Sequence, residues 1–501
     1  MLNSKAYAAN SWHTIDEQSR ADLCNELVET ECLLSALGST LRSRRMGTHL
    51  SASILPLESQ CGSYIEILRE TLTNGRGAVT LRDIARLRVQ FQYQCRQLHR
   101  LAGALQTLEN WQSPVFLASG EIPAGRHHPH LSERGFDYSR DRHIDAEEYE
   151  RLFLSELLPL PPGESYAWLT SSGMSAILLA IDHIRSRLPA GARVLARGDM
   201  YHETRELLSQ WFGSKIDWLP DDSSDIVSPL RSGPYAALFL DAHTNATRLR
   251  CPAVLPVLEY LSEQGDHAPY CLCDTTALPF AAAEWLSKSP PMPPGKVFFA
   301  ESLIKFHQFG LDATSAGILL GIGHCPANDD LWYLRAHLGV NISDTAAATL
   351  PRPNRIALYS RLCRMQRNAR IIGDALAPLA DIAWGSRLGH AVSPTLDGHP
   401  DHLILRSLPF QGAIVSIELP RALHTPDALY AFARDIICAA ASRDVVLHGG
   451  SSFGFSTTRV YVTAATTRFG RPFLRIAAGS ESFGEASAIA TAIYEAASEL
   501  P

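Results

Sequence analysis

The sequence has no apolar run that approaches the about 18 residues needed for a membrane-spanning helix. Residues 1–20 lack the charged-then-apolar order of a secretory signal peptide. Basic residues are not in excess either, because 45 Lys and Arg stand against 52 Asp and Glu, which argues against a general polyanion binder. We therefore expect a soluble, cytoplasmic protein without nucleic acid or membrane as a partner.

The cysteines do not form a compact set. Ten cysteines are scattered from Cys24 to Cys438 in a chain of 501 residues, which favours reduced core thiols over a disulfide framework. Hydrophobic residues make up 46% of the chain and charged residues 19%, so a chain disordered over most of its length is excluded. The length exceeds what one hydrophobic core usually serves, and we expect about two to four domains.

Two stretches of the first 120 residues show helical periodicity and little strand character. The apolar positions of the first stretch are Leu23, Leu27, Leu34, Leu37 and Leu41. Those of the second are Ile84, Leu87, Phe91, Leu98, Leu101, Leu105 and Leu108, which follow a heptad pattern. We therefore predict that residues 1–120 are a helical extension used for packing or assembly.

Residues 121–150 are rich in Pro, Gly and His, and we expect them to form an extended arm. Three histidines in this arm, His127, His128 and His130, have no nearby Cys or Glu that would complete a set of metal ligands. The sequence therefore predicts a solvated loop here and no metal centre.

From residue 151 onward, short apolar strands alternate with helices, which is typical of an α/β fold with a mostly parallel sheet. The expected strands of this part are Ala192–Ala196, Ala236–Leu240, Tyr270–Cys273, Val297–Ala300 and Ala316–Leu320. A long Arg-rich helix, Ile356–Leu376, then precedes three further strands, Ala413–Glu418, Val460–Val462 and Leu474–Ala477. We predict a large catalytic domain over residues 151–355 and a smaller α+β domain over residues 356–501.

Polar residues cluster where these strands end, which is the edge at which an open α/β sheet binds its ligand. Small residues around Gly173 lead into a helix and would leave backbone N–H groups free for an anion. Lysine is scarce after residue 150, where the chain prefers arginine, yet Lys305 closely follows a buried-looking strand. A desolvated amine at such an edge becomes nucleophilic, which suits Schiff-base chemistry.

Eight short motifs resemble, in order, those of the Cys/Met-metabolism family of pyridoxal-phosphate enzymes, which includes cystathionine γ-synthase, cystathionine lyases and methionine γ-lyase. The motifs are Tyr138-Ser139-Arg140, Ser172-Gly173-Met174, Tyr201 with Thr204, Thr244-Asn245, Asp274-x-Thr276, Ser302-x-x-Lys305, Ser452-Phe453-Gly454 and Leu474-Arg475-Ile476 with Gly479 and Glu481. The resemblance implies the aspartate-aminotransferase-like fold type I and pyridoxal 5'-phosphate as the cofactor.

The resemblance also implies a role for each matching residue. Lys305 would carry the cofactor as an internal aldimine and move protons, with Tyr201 stacked on the ring and Asp274 paired with the pyridine nitrogen. The other cofactor-binding residues would be Gly173, Met174, Ser302, Asn245 and Thr276, together with Tyr138 and Arg140 of a neighbouring subunit. That contribution would make the protein a homodimer or homotetramer with shared active sites. The amino-acid substrate would be bound by Arg475, through its α-carboxylate, and by Ser452.

The chain departs from the family pattern on the substrate side. His202 and Glu203 stand where relatives carry small residues, and Ile304 replaces the threonine before the lysine. We therefore expect a specialised member, in which His202 and Glu203 select a cationic or strongly polar γ-substituent of the substrate.

The leading functional hypothesis is γ-elimination or γ-replacement on an amino acid with a leaving group at Cγ, with removal of a Cα proton and then a Cβ proton. The enzymatic alternative is β-elimination of the C–S lyase type, because the fold and the cofactor do not fix the reaction. The other alternative is a non-catalytic regulatory or scaffold protein that binds pyridoxal phosphate, although a pure binder has no need of Arg475.

Overall fold

In the part of the chain that the structure describes, four helices precede the first strand. The computed structural model describes residues 15–42, 48–74, 79–107, 144–161, 163–221, 223, 225–323, 328–380, 387–465 and 470–500. The four helices are α1 (Glu17–Arg42), α2 (Thr48–Asn74), α3 (Leu81–Thr107) and α4 (Ile144–Leu157). The two helices predicted from periodicity are confirmed as α1 and α3. Helix α2 was not predicted, and it contains Pro56, a residue that usually interrupts a helix.

A seven-stranded sheet forms the centre of the large domain. In spatial order its strands are β1 (Ser165–Thr170), β7 (Gly317–Ile322), β6 (Val297–Ser302), β5 (Tyr270–Asp274), β4 (Tyr235–Asp241), β2 (Arg193–Arg197) and β3 (Ile216–Leu219). The five strands from β6 to β3 are parallel to one another, and β7 is antiparallel to both of its neighbours. The expected mostly parallel sheet of the α/β fold is therefore confirmed.

Helices cover both faces of this sheet. They are α5 (Gly173–Arg187), α6 (His202–Phe212), α7 (Val227–Ser232), α8 (Val254–Gln264), α9 (Ala281–Lys288), α10 (Asn328–His337) and α11 (Asp344–Thr349). One face packs on the buried side chains of α5, such as Ile181. The opposite face shares one continuous hydrophobic core with the N-terminal helices, to which Leu23, Leu68 and Ile84 contribute. The helical extension is therefore part of the large domain's core.

A second, smaller sheet lies in the C-terminal part of the chain. In spatial order its strands are β10 (His448–Gly449), β11 (Arg459–Thr463), β12 (Phe473–Ala477), β9 (Ile414–Glu418) and β8 (His390–Val392). The accompanying helices are α12 (Arg355–Leu376), α13 (His402–Leu405), α14 (Pro426–Ser442) and α15 (Phe483–Ser498). Its hydrophobic core is separate from that of the large sheet, as expected for an α+β domain.

Buried ion pairs join the N-terminal helices to the C-terminal part of the chain. The Arg88 guanidinium lies 2.6 Å from Glu26 Oε1 and 2.7 Å from Glu485 Oε1. Asp22 Oδ1 lies 2.7 Å from the guanidinium of Arg367. Because removal of one partner of a buried pair leaves an uncompensated charge and costs about 3–5 kcal/mol, these contacts hold the helices firmly in place.

The eight strands predicted from the sequence are all present, and each end agrees within two residues. Four strands were not predicted: β1, β3, β8 and β10. The last three have only two to four residues, which is too short for a clear alternating pattern. The domain boundaries at residues 120, 150 and 355 stay predictions. None of the described helices combines the length and apolarity that a membrane crossing requires.

Candidate active site

A cavity of about 540 Å³ lies at the carboxyl ends of the parallel strands, where loops of the large domain meet the C-terminal domain. Twelve of the residues predicted from the sequence line it: Lys305, Tyr201, Asp274, Gly173, Met174, Ser302, Asn245, Thr276, Arg475, Ser452, Glu203 and His202. The remaining two, Tyr138 and Arg140, lie outside the described residues, so the shared active site stays a prediction. The sequence motifs, up to 302 positions apart, thus meet in one place.

Lys305 points its amine at the C-terminal domain. Its Nζ donates a hydrogen bond of 2.7 Å to Ser452 Oγ and lies 5.3 Å from the centre of the Phe453 ring. Burial lowers the pKa of Lys305 to about 8, and the positive charge of Arg475 contributes to the fall. A substantial fraction of the amine is therefore neutral and nucleophilic near neutral pH.

Asp274 ends β5 and lines the cavity, where its side chain is partly buried. Its Oδ1 accepts a hydrogen bond of 2.8 Å from the backbone N–H of Thr276, whose hydroxyl oxygen accepts one of 2.9 Å from the N–H of Ser302. Burial raises the pKa of Asp274, and the hydrogen bonds from Thr276 oppose that rise. A positively charged ligand atom beside Asp274 would therefore be favoured, because it would stabilise the carboxylate.

Asp241 is a second buried carboxyl group beside Asp274. The two residues are register partners at the ends of β4 and β5. Asp241 Oδ2 accepts a hydrogen bond of 2.7 Å from the Tyr201 N–H, and Oδ1 has no hydrogen-bond partner among the described residues. Burial, together with the charge of Asp274, raises the pKa of Asp241 well above its usual value. Repulsion therefore favours one proton on the pair, and Asp241 is the better place for it.

The N-terminus of α5 forms an anion cradle at the cavity wall. Ser172 Oγ caps the helix by accepting a hydrogen bond of 3.1 Å from Ser175 N–H. The preceding amides of Gly173 and Met174 belong to the first turn, which has no intrahelical acceptor for them. A Cβ on Gly173 would lie 2.6 Å from Ser302 Cβ, so glycine lets the helix end approach the Ser302 hydroxyl. Amides and hydroxyl together suit a phosphate group.

Arg475 lies on β12 with only 6% of its surface exposed. Its Nη1 donates a hydrogen bond of 3.0 Å to Asn245 Oδ1, and its Nε has no hydrogen-bond partner among the described residues. Burial lowers the pKa of Arg475 to about 10. A buried guanidinium whose N–H groups are not all used within the protein can bind a carboxylate in a bidentate manner.

Tyr201, His202 and Glu203 also line the cavity. Burial raises the pKa of Tyr201, and the neighbouring Glu203 carboxylate raises it further, so its hydroxyl keeps its proton. The side chain of Glu203 is 44% exposed, and its Oε1 lies 3.6 Å from His202 Nε2. Although the side chain as a whole is partly exposed, Glu203 Oε2 is buried and has no hydrogen-bond partner among the described residues, so it is available to a ligand in the cavity.

Sequence reasoning missed several residues of the cavity wall. The sequence analysis assigned no role to Asp241 or His243, which lie at the end of β4 and just after it. His243 is buried, and its Nδ1–H donates a 3.0 Å hydrogen bond to the Thr244 carbonyl. Burial lowers the pKa of His243 to about 4. Tyr430 and Tyr461 reach the cavity from the C-terminal domain. No local motif marks these two tyrosines, because only the packing of the two domains brings them to the site.

Solved structures of the same fold come from several bacteria. Cystathionine gamma synthase from Xanthomonas oryzae pv. oryzae, in complex with aminoacrylate and cysteine, is 19% identical with a TM-score of 0.57 over 77% of this chain and 92% of that chain. The metB protein of Corynebacterium glutamicum is 17% identical with a TM-score of 0.59 over 75% and 91%. CalE6, a methionine gamma lyase from Micromonospora echinospora, is 19% identical with a TM-score of 0.56 over 74% and 90%.

These likenesses establish the fold. The protein has fold type I of the pyridoxal-phosphate enzymes, as the motif resemblance implied. Among curated proteins, the bifunctional enzyme flvA of Aspergillus flavus is 24% identical over 359 residues, which are 70% of this chain and 41% of that protein. The chain therefore spans about two fifths of the length of that relative. No protein-family model matches the chain.

We expect the amine of Lys305 to lose its proton near pH 8, well below the range of an ordinary lysine. Because burial and Arg475 disfavour the ammonium form, the rate of acylation of Lys305 in ligand-free protein should rise through pH 8 and level off by about pH 9. Exposed lysines should gain reactivity up to about pH 10. Pulse acylation followed by peptide mass spectrometry measures the acylation rates of Lys305 and of the exposed lysines at each pH.

Arg475→Met should move the midpoint of Lys305 acylation to higher pH, because removal of the nearby cation favours the ammonium form. A wild-type midpoint near pH 10 would contradict this description of the site.

Proposed function

We propose that this protein is a pyridoxal-phosphate-dependent enzyme of the Cys/Met-metabolism family that performs γ-elimination or γ-replacement on an amino acid with a leaving group at Cγ. The observation that carries the proposal is the position of Lys305. Its partly buried amine lies in one cavity with a partly buried carboxyl group, Asp274, and a buried guanidinium, Arg475. A lysine, a carboxylate and an arginine in one cavity suit an aldehyde cofactor and an amino acid that bind together.

The residues of the cavity fit pyridoxal phosphate. The free amides of Gly173 and Met174 and the hydroxyl of Ser302 would hold the phosphate. The carboxyl group of Asp274 would pair with the protonated pyridine nitrogen, which offsets the burial that raises its pKa. Ile304 supplies no hydroxyl where relatives have a threonine, and an unreplaced hydrogen bond to a charged group would weaken binding by about 1.5–3 kcal/mol.

When bound, pyridoxal phosphate supplies an electron sink that acidifies protons on the substrate. Lys305 would act as the general base, because its pKa of about 8 allows it both to take and to return a proton near neutral pH. This one mobile amine would take a Cα proton, return that proton to the bound cofactor, and only then take a Cβ proton, so that a group is expelled from Cγ. Tyr201, which keeps its proton, would donate to the departing group or to Cγ.

Arg475 would bind the substrate α-carboxylate and fix the side on which the Cα proton faces Lys305. Its hydrogen bond to Asn245 Oδ1 holds the guanidinium plane, and the free Nε and remaining Nη donors are left for the substrate. Such a bidentate pair gives both orientation and binding energy. A protein that only carried the cofactor would have no use for this buried cation.

Glu203 and His202 would contact the side chain of the substrate. Glu203 lines the cavity, and its Oε2 has no hydrogen-bond partner among the described residues. Its charge already acts on Lys305, whose ammonium form it favours. A carboxylate at this wall would attract a positively charged or strongly polar γ-substituent.

Borohydride reduction of protein loaded with pyridoxal phosphate should place a pyridoxyl group on Lys305, because this is the one amine that lines the described cavity. Peptide mapping by mass spectrometry locates the group. Lys305→Arg should lose the label, whereas the control Lys296→Arg, which changes the lysine before the same strand, should keep it. Labelling of any other lysine in the wild-type protein would refute the cofactor assignment.

Glu203→Gln should lower kcat/KM for a γ-sulfonium amino acid such as S-methylmethionine about tenfold more than for a neutral homoserine ester. A factor of ten is about 1.4 kcal/mol, within the about 1–4 kcal/mol expected for one charge pair at 4 Å near a protein surface. The matched control is Glu206→Gln, an exposed glutamate on the same helix. Equal losses for both substrates would make Glu203 a structural residue instead.

A further inference from the structure

Two turns with unusual backbone conformations flank Lys305. In the turn that follows it, Phe309 and Asp312 have φ values of 52° and 50°, and in the turn that carries its partner, Ser452 has φ of 75°. L-residues adopt this left-handed region rarely, and they remain there only when the surroundings hold them. The position of the Lys305 amine therefore depends on whatever fixes these two turns.

The two turns touch each other at the Lys305 backbone. A Cβ on Gly454 would lie 2.1 Å from the Lys305 carbonyl oxygen, and a Cβ on Gly310 would lie 2.9 Å from the Ser456 nitrogen. Both glycines also have positive φ. The turns are packed so closely that a displacement of Ser456 would be transmitted to the backbone of Lys305 and to its partner Ser452.

Arg361 of helix α12 ties the second turn in place. Its guanidinium, 1% exposed, donates hydrogen bonds of 3.3 Å to the Gly454 carbonyl and 2.8 Å to Ser456 Oγ. Its charge is balanced by Glu29 of α1, whose Oε1 lies 2.5 Å from Arg361 Nη1. The other oxygen of Glu29 accepts a 2.6 Å hydrogen bond from Arg364. Without Glu29, two buried guanidinium groups would lose the carboxylate with which both form ion pairs.

Helix α3 holds the same turns from a second direction. Gln92 Nε2 donates a hydrogen bond to Ser456 Oγ. On the first turn, Arg96 donates to the Leu311 carbonyl, and Arg100 Nε donates to the Ala313 carbonyl at 2.9 Å. The N-terminal helices therefore contact both of the turns that set the place of Lys305.

We propose that the N-terminal helices position the reactive lysine of the active site, with Glu29 and Gln92 as positioning residues that act through Arg361 and Ser456 on the turn that carries Ser452. Neither residue lines the cavity, so neither touches a substrate. The inference rests on the proposed function only in naming Lys305 as the reactive group. The contacts themselves require no cofactor.

Hydrogen–deuterium exchange of the full chain tests the proposal. Glu29→Gln and Gln92→Ala should each speed exchange about fivefold in peptides that cover 305–313 and 451–457, which corresponds to the about 1 kcal/mol that one such hydrogen bond contributes. The matched controls are Glu31→Gln, an exposed glutamate on α1, and Gln90→Ala, an exposed glutamine on α3. Neither control should change exchange in these two segments.

The pH midpoint of Lys305 acylation provides a second measurement. It should stay unchanged if Glu29 and Gln92 serve only the overall stability of the protein. When the turns loosen, water reaches the amine, and the midpoint of its pH dependence should rise in both variants and in neither control. The proposal would be overturned if variants that unfold at the wild-type temperature showed unchanged hydrogen exchange in these two segments and an unchanged pH midpoint of Lys305 acylation. Faster exchange spread over the whole chain would also overturn it, because the contacts would then serve overall stability. Absence of bound pyridoxal phosphate would contradict the proposed function but not this inference.

Discussion

The site depends on one electrostatic constraint: two basic side chains, Lys305 and Arg475, line the same cavity and are both largely removed from solvent. Burial lowers the pKa of both groups, and the charge of Arg475 lowers the pKa of Lys305 further. The arrangement is costly unless anions enter. A substrate carboxylate beside Arg475 and a phosphate at the end of α5 would supply them, in accord with the amino-acid substrate and phosphorylated cofactor that we propose.

The acidic groups of the cavity complete this pattern. Asp274 and Asp241 lie side by side at the ends of two neighbouring parallel strands, where the register of the sheet forces them together. Because two adjacent buried carboxylates repel each other, the pair favours a single negative charge. A positive ring nitrogen beside Asp274 would fix that charge on Asp274 and leave the proton on Asp241. The sheet topology thus determines the protonation of the site.

Much of the fold and the site could be predicted from the sequence, because the relevant signals are local. Strand ends carry polar residues next to apolar runs, and Lys305 and Asp274 stand out for that reason. Helix α2 was missed because Pro56 breaks the local pattern, although its buried face is held by tertiary packing. In a similar way, β1 gave no clear alternating pattern, yet it pairs with β7 along six residues.

Contacts between distant parts of the chain could not be predicted. Glu29 and Arg361 are 332 positions apart, and nothing near either residue indicates the other. Tyr461 reaches the cavity only because the small sheet packs against the strand ends of the large one. The sequence also could not show that the N-terminal extension contacts the turns around Lys305, since those contacts involve backbone carbonyls that carry no sequence signal.

Isotope exchange tests most directly whether Lys305 removes protons from both Cα and Cβ of the substrate, as we propose. The enzyme would be incubated in deuterium oxide with norvaline, an analogue without a leaving group, and the proton signals of the amino acid followed by NMR. We expect deuterium to enter at both Cα and Cβ in the wild-type protein and at neither carbon in Lys305→Arg. Exchange at Cα alone would contradict the assignment of γ-chemistry and favour β-elimination instead.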